Sequence, residues 1–201
     1  MNILTINLLF STLVFWTAAK IYLLPRLHEL RPRSVLLPIL LLHAFRHLGL
    51  MFLAPGGTYA GIAPQFAYPA AFGDLVAALL AVAAIAAVAL NARGARLLVW
   101  VFNVEGTVDL IAAITLATVY GAAAHMGPAY WIPAFWVPAL LVTHYITFIV
   151  LLRYWKERPN PASESGRGKE RRAKERRAKE RRIKERRAAQ RGHLGGSDIS
   201  R

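Results

Sequence analysis

The chain has 201 residues, 56% of them from the hydrophobic set, with a formal net charge of +14 and no cysteine. The lack of cysteine excludes disulfides, iron–sulfur clusters, thiol chemistry and Cys-ligated zinc. Apolar residues come in blocks of membrane-spanning length rather than on one face of shorter elements, which argues against a soluble domain and for a polytopic membrane protein. Charge is placed unevenly: residues 153–201 hold 18 Lys or Arg against 7 Asp or Glu, and residues 1–152 hold 7 against 4, so the basic character belongs mainly to the tail.

The first apolar block runs over about residues 3–24. Lys20, Arg26, Arg31 and Arg33 follow it rather than precede it, opposite to a signal peptide, so a retained span is expected, ending at Pro25. The second span is expected over 35–53, with Pro38 tolerable in its first turn. Residues 54–71 carry six Pro or Gly and no charge, and read as a structured or interfacial loop. The third span, 72–90, is alanine-rich, which favours close packing in the middle of a bundle. Asp74 falls at its expected start, where a carboxylate suits the helix N-terminus. A short basic connection containing Arg93 and Arg96 leads to the fourth span, 97–120, and a neutral connection containing His125 leads to the fifth, 130–152. Pro133 and Pro138 predict a kink or irregular start there, and Trp131, Trp136 and Trp155 mark interface belts.

The expected fold is therefore all-α: a five-helix transmembrane domain over 1–155 and a basic tail over 156–201. Only the second-to-third and fourth-to-fifth connections lack Lys and Arg, so the positive-inside rule puts the N-terminus outside and the tail in the cytoplasm.

The tail holds four near-copies of a KERRA unit, with a charged helix expected over about 168–191 between disordered flanks. Each Glu stands four residues before the next Lys across three junctions, a favourable helical pairing. A five-residue period turns about 140° per repeat, so the apolar positions make no seam for a coiled coil. Lys169, Arg171, Arg172, Lys174, Arg176, Arg177, Lys179, Arg181, Arg182, Lys184, Arg186 and Arg187 would meet anionic lipid headgroups at the bilayer surface. No aromatic residue is interleaved between Lys169 and Arg191 to stack on bases, which argues against nucleic acid as partner. A homo-oligomer is compatible with such a bundle.

Ionisable side chains inside the spans define a candidate polar centre. In an α-helix His43, Arg46 and His47 would share one face, and so would Glu105 and Asp109. Counting at about 1.5 Å per residue from the inner ends puts His43, Glu105 and His144 in an inner layer and Arg46, His47 and Asp109 in a middle one. Arg46 is expected to pair with Asp109, with Glu105 as a further or alternative partner, because an unpaired charge at this depth is costly. Asp109→Leu should therefore be the more damaging single change, since arginine cannot shed its charge.

Such a centre can line a path for protons, ions or a small solute, or it can simply lock helix register in a non-transporting scaffold, receptor or assembly factor. A haem-bearing electron carrier, with His43 and His144 as axial ligands of a b-type haem, is another alternative. A cation held by His43, His47, Glu105 and Asp109 has suitable ligand types but would meet repulsion from Arg46. No HExxH, GxSxG, P-loop or Rossmann fingerprint is present, so enzyme chemistry has no positive motif and no cofactor is required.

Three segments, HAFRHLGL from His43, PAAFGDL from Pro69 and NVEGTVDL from Asn103, resemble a group of uncharacterised bacterial integral-membrane proteins. The resemblance covers roughly residues 36–152 and excludes the tail. It implies a bacterial inner-membrane location and supplies no activity or site residue.

Overall fold

The structure, a computed structural model, describes residues 3–155, and these are helical apart from short connections. The charged tail helix expected over 168–191 and its flanks lie outside the described residues. Five helices are long and apolar enough to cross a membrane: α1 (Ile3–Arg26), α2 (Pro32–Phe52), α3 (Pro64–Ala89), α4 (Ala95–Val119) and α5 (Gly127–Tyr154).

The helix boundaries follow local chemistry. Proline opens α2 at Pro32 and α3 at Pro64, where a missing N–H costs nothing. Past the ends of α3 and α4, Asn91 (φ 52°) and Gly121 (φ 58°) take the left-handed conformation that closes a helix C-terminus. In α5 three prolines, Pro128, Pro133 and Pro138, produce an irregular entry: a 3-10 turn (Gly127–Tyr130), a π turn (Ile132–Trp136) and only then the α-helix (Val137–Ile149). The two connections without Lys or Arg are joined to each other. Tyr59 N–H donates to His125 O (2.9 Å), Ala129 N–H donates to Gly57 O (2.9 Å), and the His125 ring bonds Ala60 O.

Two sequence expectations need correction. The loop proposed for 54–71 is helical from Pro64 onward, so α3 begins eight residues before position 72. Pro64 is a helix opener, Pro69 lies early enough to forfeit a single backbone bond, and Phe66, Ala67, Ala70 and Ala71 are buried by packing. The second span is not α-helical throughout: α2 changes at Phe45 to a 3-10 helix that runs to Phe52. In a 3-10 helix residues i and i+3 eclipse, and accordingly His43, Arg46, Gly49 and Phe52 are the buried positions of this stretch.

Helix α3 packs along both halves of α2 and against α4, with Ala77, Ala78, Ala81 and Ala84 buried at these contacts. Small side chains let the helices approach closely. Helix α1 packs chiefly on α5, through Phe15 against Phe135 and Trp16 against Tyr145. The buried apolar residues form two separate cores. One gathers Leu36, Leu40, Ala84, Val99, Phe102 and Ile146; the other gathers Phe52, Phe66, Ala71, Leu110, Met126 and Leu140. Between these two cores each of α2 to α5 places a buried polar side chain: His43 and Arg46 on α2, Asp74 on α3, Asn103 on α4 and His144 on α5.

Candidate functional site

Arg46 is the centre of the polar layer, 1% exposed, and its side chain reaches three other helices. Its Nε donates to Asp74 Oδ1 on α3 (2.7 Å) and its Nη2 to Asp109 Oδ2 on α4 (2.5 Å). Its Nη1 donates to Gly106 O on α4 (3.2 Å) and approaches His144 Nε2 on α5 (3.4 Å). Charge-assisted bonds of this kind are the strong ones, and a buried guanidinium requires them.

The histidines have definable roles. Asn103 Nδ2 donates to His144 O (3.3 Å), which turns Asn103 Oδ1 toward His144 Nδ1 at 2.8 Å. His144 therefore donates from Nδ1 and presents the lone pair of Nε2 to Arg46. Thr143 gives its hydroxyl proton to Ala139 O or Leu140 O, so it accepts from His43 Nε2 at 2.9 Å. His43 Nδ1 is then a buried lone pair with no hydrogen-bond partner among the described residues. The two imidazoles touch, with centroids 4.2 Å apart, and Phe102 packs against both. In this arrangement, axial ligation of a haem from opposite faces would require the rings to separate.

Glycines make the ionic contacts possible. A Cβ on Gly49 would overlap the Asp74 carboxylate, and one on Gly73 would overlap that of Asp109. A Cβ on Gly106 would lie 2.6 Å from Arg46 Nη1 and 2.7 Å from His144 Cε1. The arrangement is cyclic: α2 supplies Arg46 and makes room for Asp74, α3 supplies Asp74 and makes room for Asp109, and α4 supplies Asp109 and makes room for Arg46.

Of the residues singled out in the sequence, the structure brings His43, Arg46, Asp109 and His144 into one layer, and the Arg46–Asp109 pair forms. His47 is excluded from it. The 3-10 winding rotates His47 away from the line of His43 and Arg46, leaving it exposed and bonded to Ala44 O (2.9 Å). Without His47 the four-ligand cation set is not assembled, and among the described residues no three His, Asp or Glu converge as a metal site would need. Asp74 is corrected from helix-start carboxylate to full member of the centre: α3 starts at Pro64, so Asp74 sits three turns inside it, 7% exposed. Glu105 borders the layer half-buried, and its Oε2 is buried with no hydrogen-bond partner among the described residues. Asn103, Thr143 and the three glycines were not identified from the sequence. A usable signal existed, since each glycine stands within three residues of a charge inside an apolar span.

The fold and site define a class, an all-helical bundle of five helices able to cross a bilayer, with a buried Asp–Arg–Asp centre between two apolar cores. The chain belongs to the family described as a domain of unknown function (DUF8737), whose model matches residues 3–152. No protein of curated function and no solved structure matches the chain.

Proposed function

We propose that this protein is a multi-pass protein of the bacterial inner membrane that moves a proton or another small cation through the polar layer. The observation that carries this reading is the charge inventory: one buried guanidinium faces two carboxylates, with the half-buried Glu105 beside them. A register lock needs only a neutral pair. Net negative charge at membrane depth is costly, and an arriving cation or proton relieves it. The non-transporting scaffold remains the competing reading, and flux separates the two. In proteoliposomes with an imposed pH or cation gradient, the wild type should dissipate the gradient, and Asp109→Asn should slow this by about tenfold or more, the effect of removing one well-placed charge interaction of about 1.4 kcal/mol. Equal rates in empty and protein-containing vesicles would leave the scaffold.

The proposal includes an orientation, with the N-terminus outside and the basic tail in the cytoplasm, supported by the distribution of Lys and Arg among the connections. Single cysteines at Gly56, Arg93 and Gly166 should be labelled by an impermeant thiol reagent in intact cells at position 56 only. Labelling at 93 would invert the arrangement. The tail is further proposed to lie on anionic headgroups: removing residues 168–201 should abolish most binding to anionic liposomes, and binding that persists after truncation would reject this role. Salt should weaken that binding, because the attraction is screened over about 8 Å at physiological ionic strength.

A further inference from the structure

We infer that Asp109 and Glu105 act as one exchangeable carboxyl pair that binds a proton, with Arg46 and Asp74 as its permanent counter-pair. The inference rests on reading the polar layer as a path and names the species carried. Among the described residues of this layer, three carboxyl groups face one guanidinium, so one ion pair can be neutral and two carboxyls remain.

Position separates the permanent partner from the exchangeable ones. Both aspartates are seated on a glycine, Asp74 on Gly49 and Asp109 on Gly73, and their side chains are 10% and 14% exposed, so what separates them is the second carboxyl that Asp109 has on its own helix. Glu105 stands one turn from Asp109 on α4, half-buried, with Oε2 buried and unbonded among the described residues. Like charges four residues apart on a helix repel, and two carboxyls sharing one site titrate as a unit. Hydronium gives its proton to either carboxylate: one carboxyl O–H bond forms, one O–H bond of the hydronium breaks, and water leaves.

Every element packed on Asp109 adds a group that bears on the assignment. Arg46 comes from α2, Asp74 from α3, Glu105 from α4 and His144 from α5; His43 stacks on His144 behind them. His144 is a poor site for the proton by its own hydrogen bonds, and a charge on His43, 0% exposed and bonded through Nε2 only to the Thr143 hydroxyl, would have no carboxylate partner among the described residues. His144 already donates from Nδ1, and a proton on Nε2 would point at the Arg46 N–H. A metal cation is disfavoured by the central guanidinium. It would also need space that the close seating of Asp109 on Gly73 does not leave.

Infrared spectroscopy of the purified full-length protein in detergent tests this directly. A protonated carboxyl gives a C=O band, distinct from carboxylate, that moves in heavy water. The wild type should show such a band at neutral pH, and Asp109→Asn and Glu105→Gln should each reduce it by about twofold or more, as members of one coupled pair. Glu29→Gln, in the α1–α2 connection, should leave it unchanged. Asp109→Asn is nearly isosteric and Glu105 is only half-buried, so loss of fold in both variants is not expected; helical circular dichroism checks it. A wild type without the band, or a band unaltered in both variants, overturns the inference. Band and flux are independent: a band without flux removes the transport reading and keeps the proton site, whereas flux without a band does the reverse.

Discussion

Replacing Asp74 and Asp109 together by asparagine is expected to destabilise the bundle by about 3 to 5 kcal/mol, the usual consequence of stranding a buried charge. Either change alone should cost less, about 1 to 3 kcal/mol for a lost charged hydrogen bond, because Arg46 retains a carboxylate on a different helix. The three-membered arrangement reverses the order expected for an isolated Arg46–Asp109 pair. Asp109→Leu leaves Arg46 bonded to Asp74, while Arg46→Leu removes a 1% exposed side chain and leaves two carboxylates facing each other. Arg46→Leu should therefore be the more damaging of the two. Thermal unfolding in detergent of the wild type, the two Asn variants and their double completes a mutant cycle. Losses that merely add would mean that Asp74 and Asp109 do not share Arg46.

A methyl group at Gly106 should be nearly as harmful as losing a charge. The Cβ of Gly106→Ala would lie 2.6 Å from Arg46 Nη1 and 2.7 and 2.8 Å from His144 Cε1 and Nε2. None of these atoms can yield freely, since Arg46 is held by two carboxylates and His144 by Asn103. Overpacking of this kind costs about 1 to 3 kcal/mol, and here it would also lengthen the ionic contacts. Gly94→Ala is the control, because nothing lies within 4 Å of a Cβ there. That variant should stay within about 0.5 kcal/mol of the wild type, as surface substitutions do. Equal thermal midpoints for the two alanine variants would contradict the close helix approach at Gly106.

The membrane-spanning blocks were legible because length and apolar composition alone define them, and depth counting was enough to match Arg46 with Asp109. What failed were readings that depend on local winding. A pitch of 3.6 residues per turn places His47 with Arg46, but α2 tightens to three per turn at Phe45. Pro64 and Pro69 suggest a loop, and a loop there puts Asp74 at a helix terminus. Proline near a helix start is equally compatible with helix, and only the burial of Phe66, Ala67, Ala70 and Ala71 decides between the two. The glycine seats were invisible for a different reason. A glycine opposite a charge is a relation between two helices, and no single segment contains it.

Because one guanidinium on α2 bonds α3 and α4 and meets α5, these four helices cannot slide past one another by even one residue, about 1.5 Å, without breaking a contact of Arg46. In a bilayer thinner or thicker than the apolar length of the bundle, helices that are free of such ties adapt individually by tilting. Here α2 to α5 must tilt as a unit. Helix α1, packed chiefly on α5 and outside the ionic centre, is left as the element that can change its angle to match the thickness of the membrane.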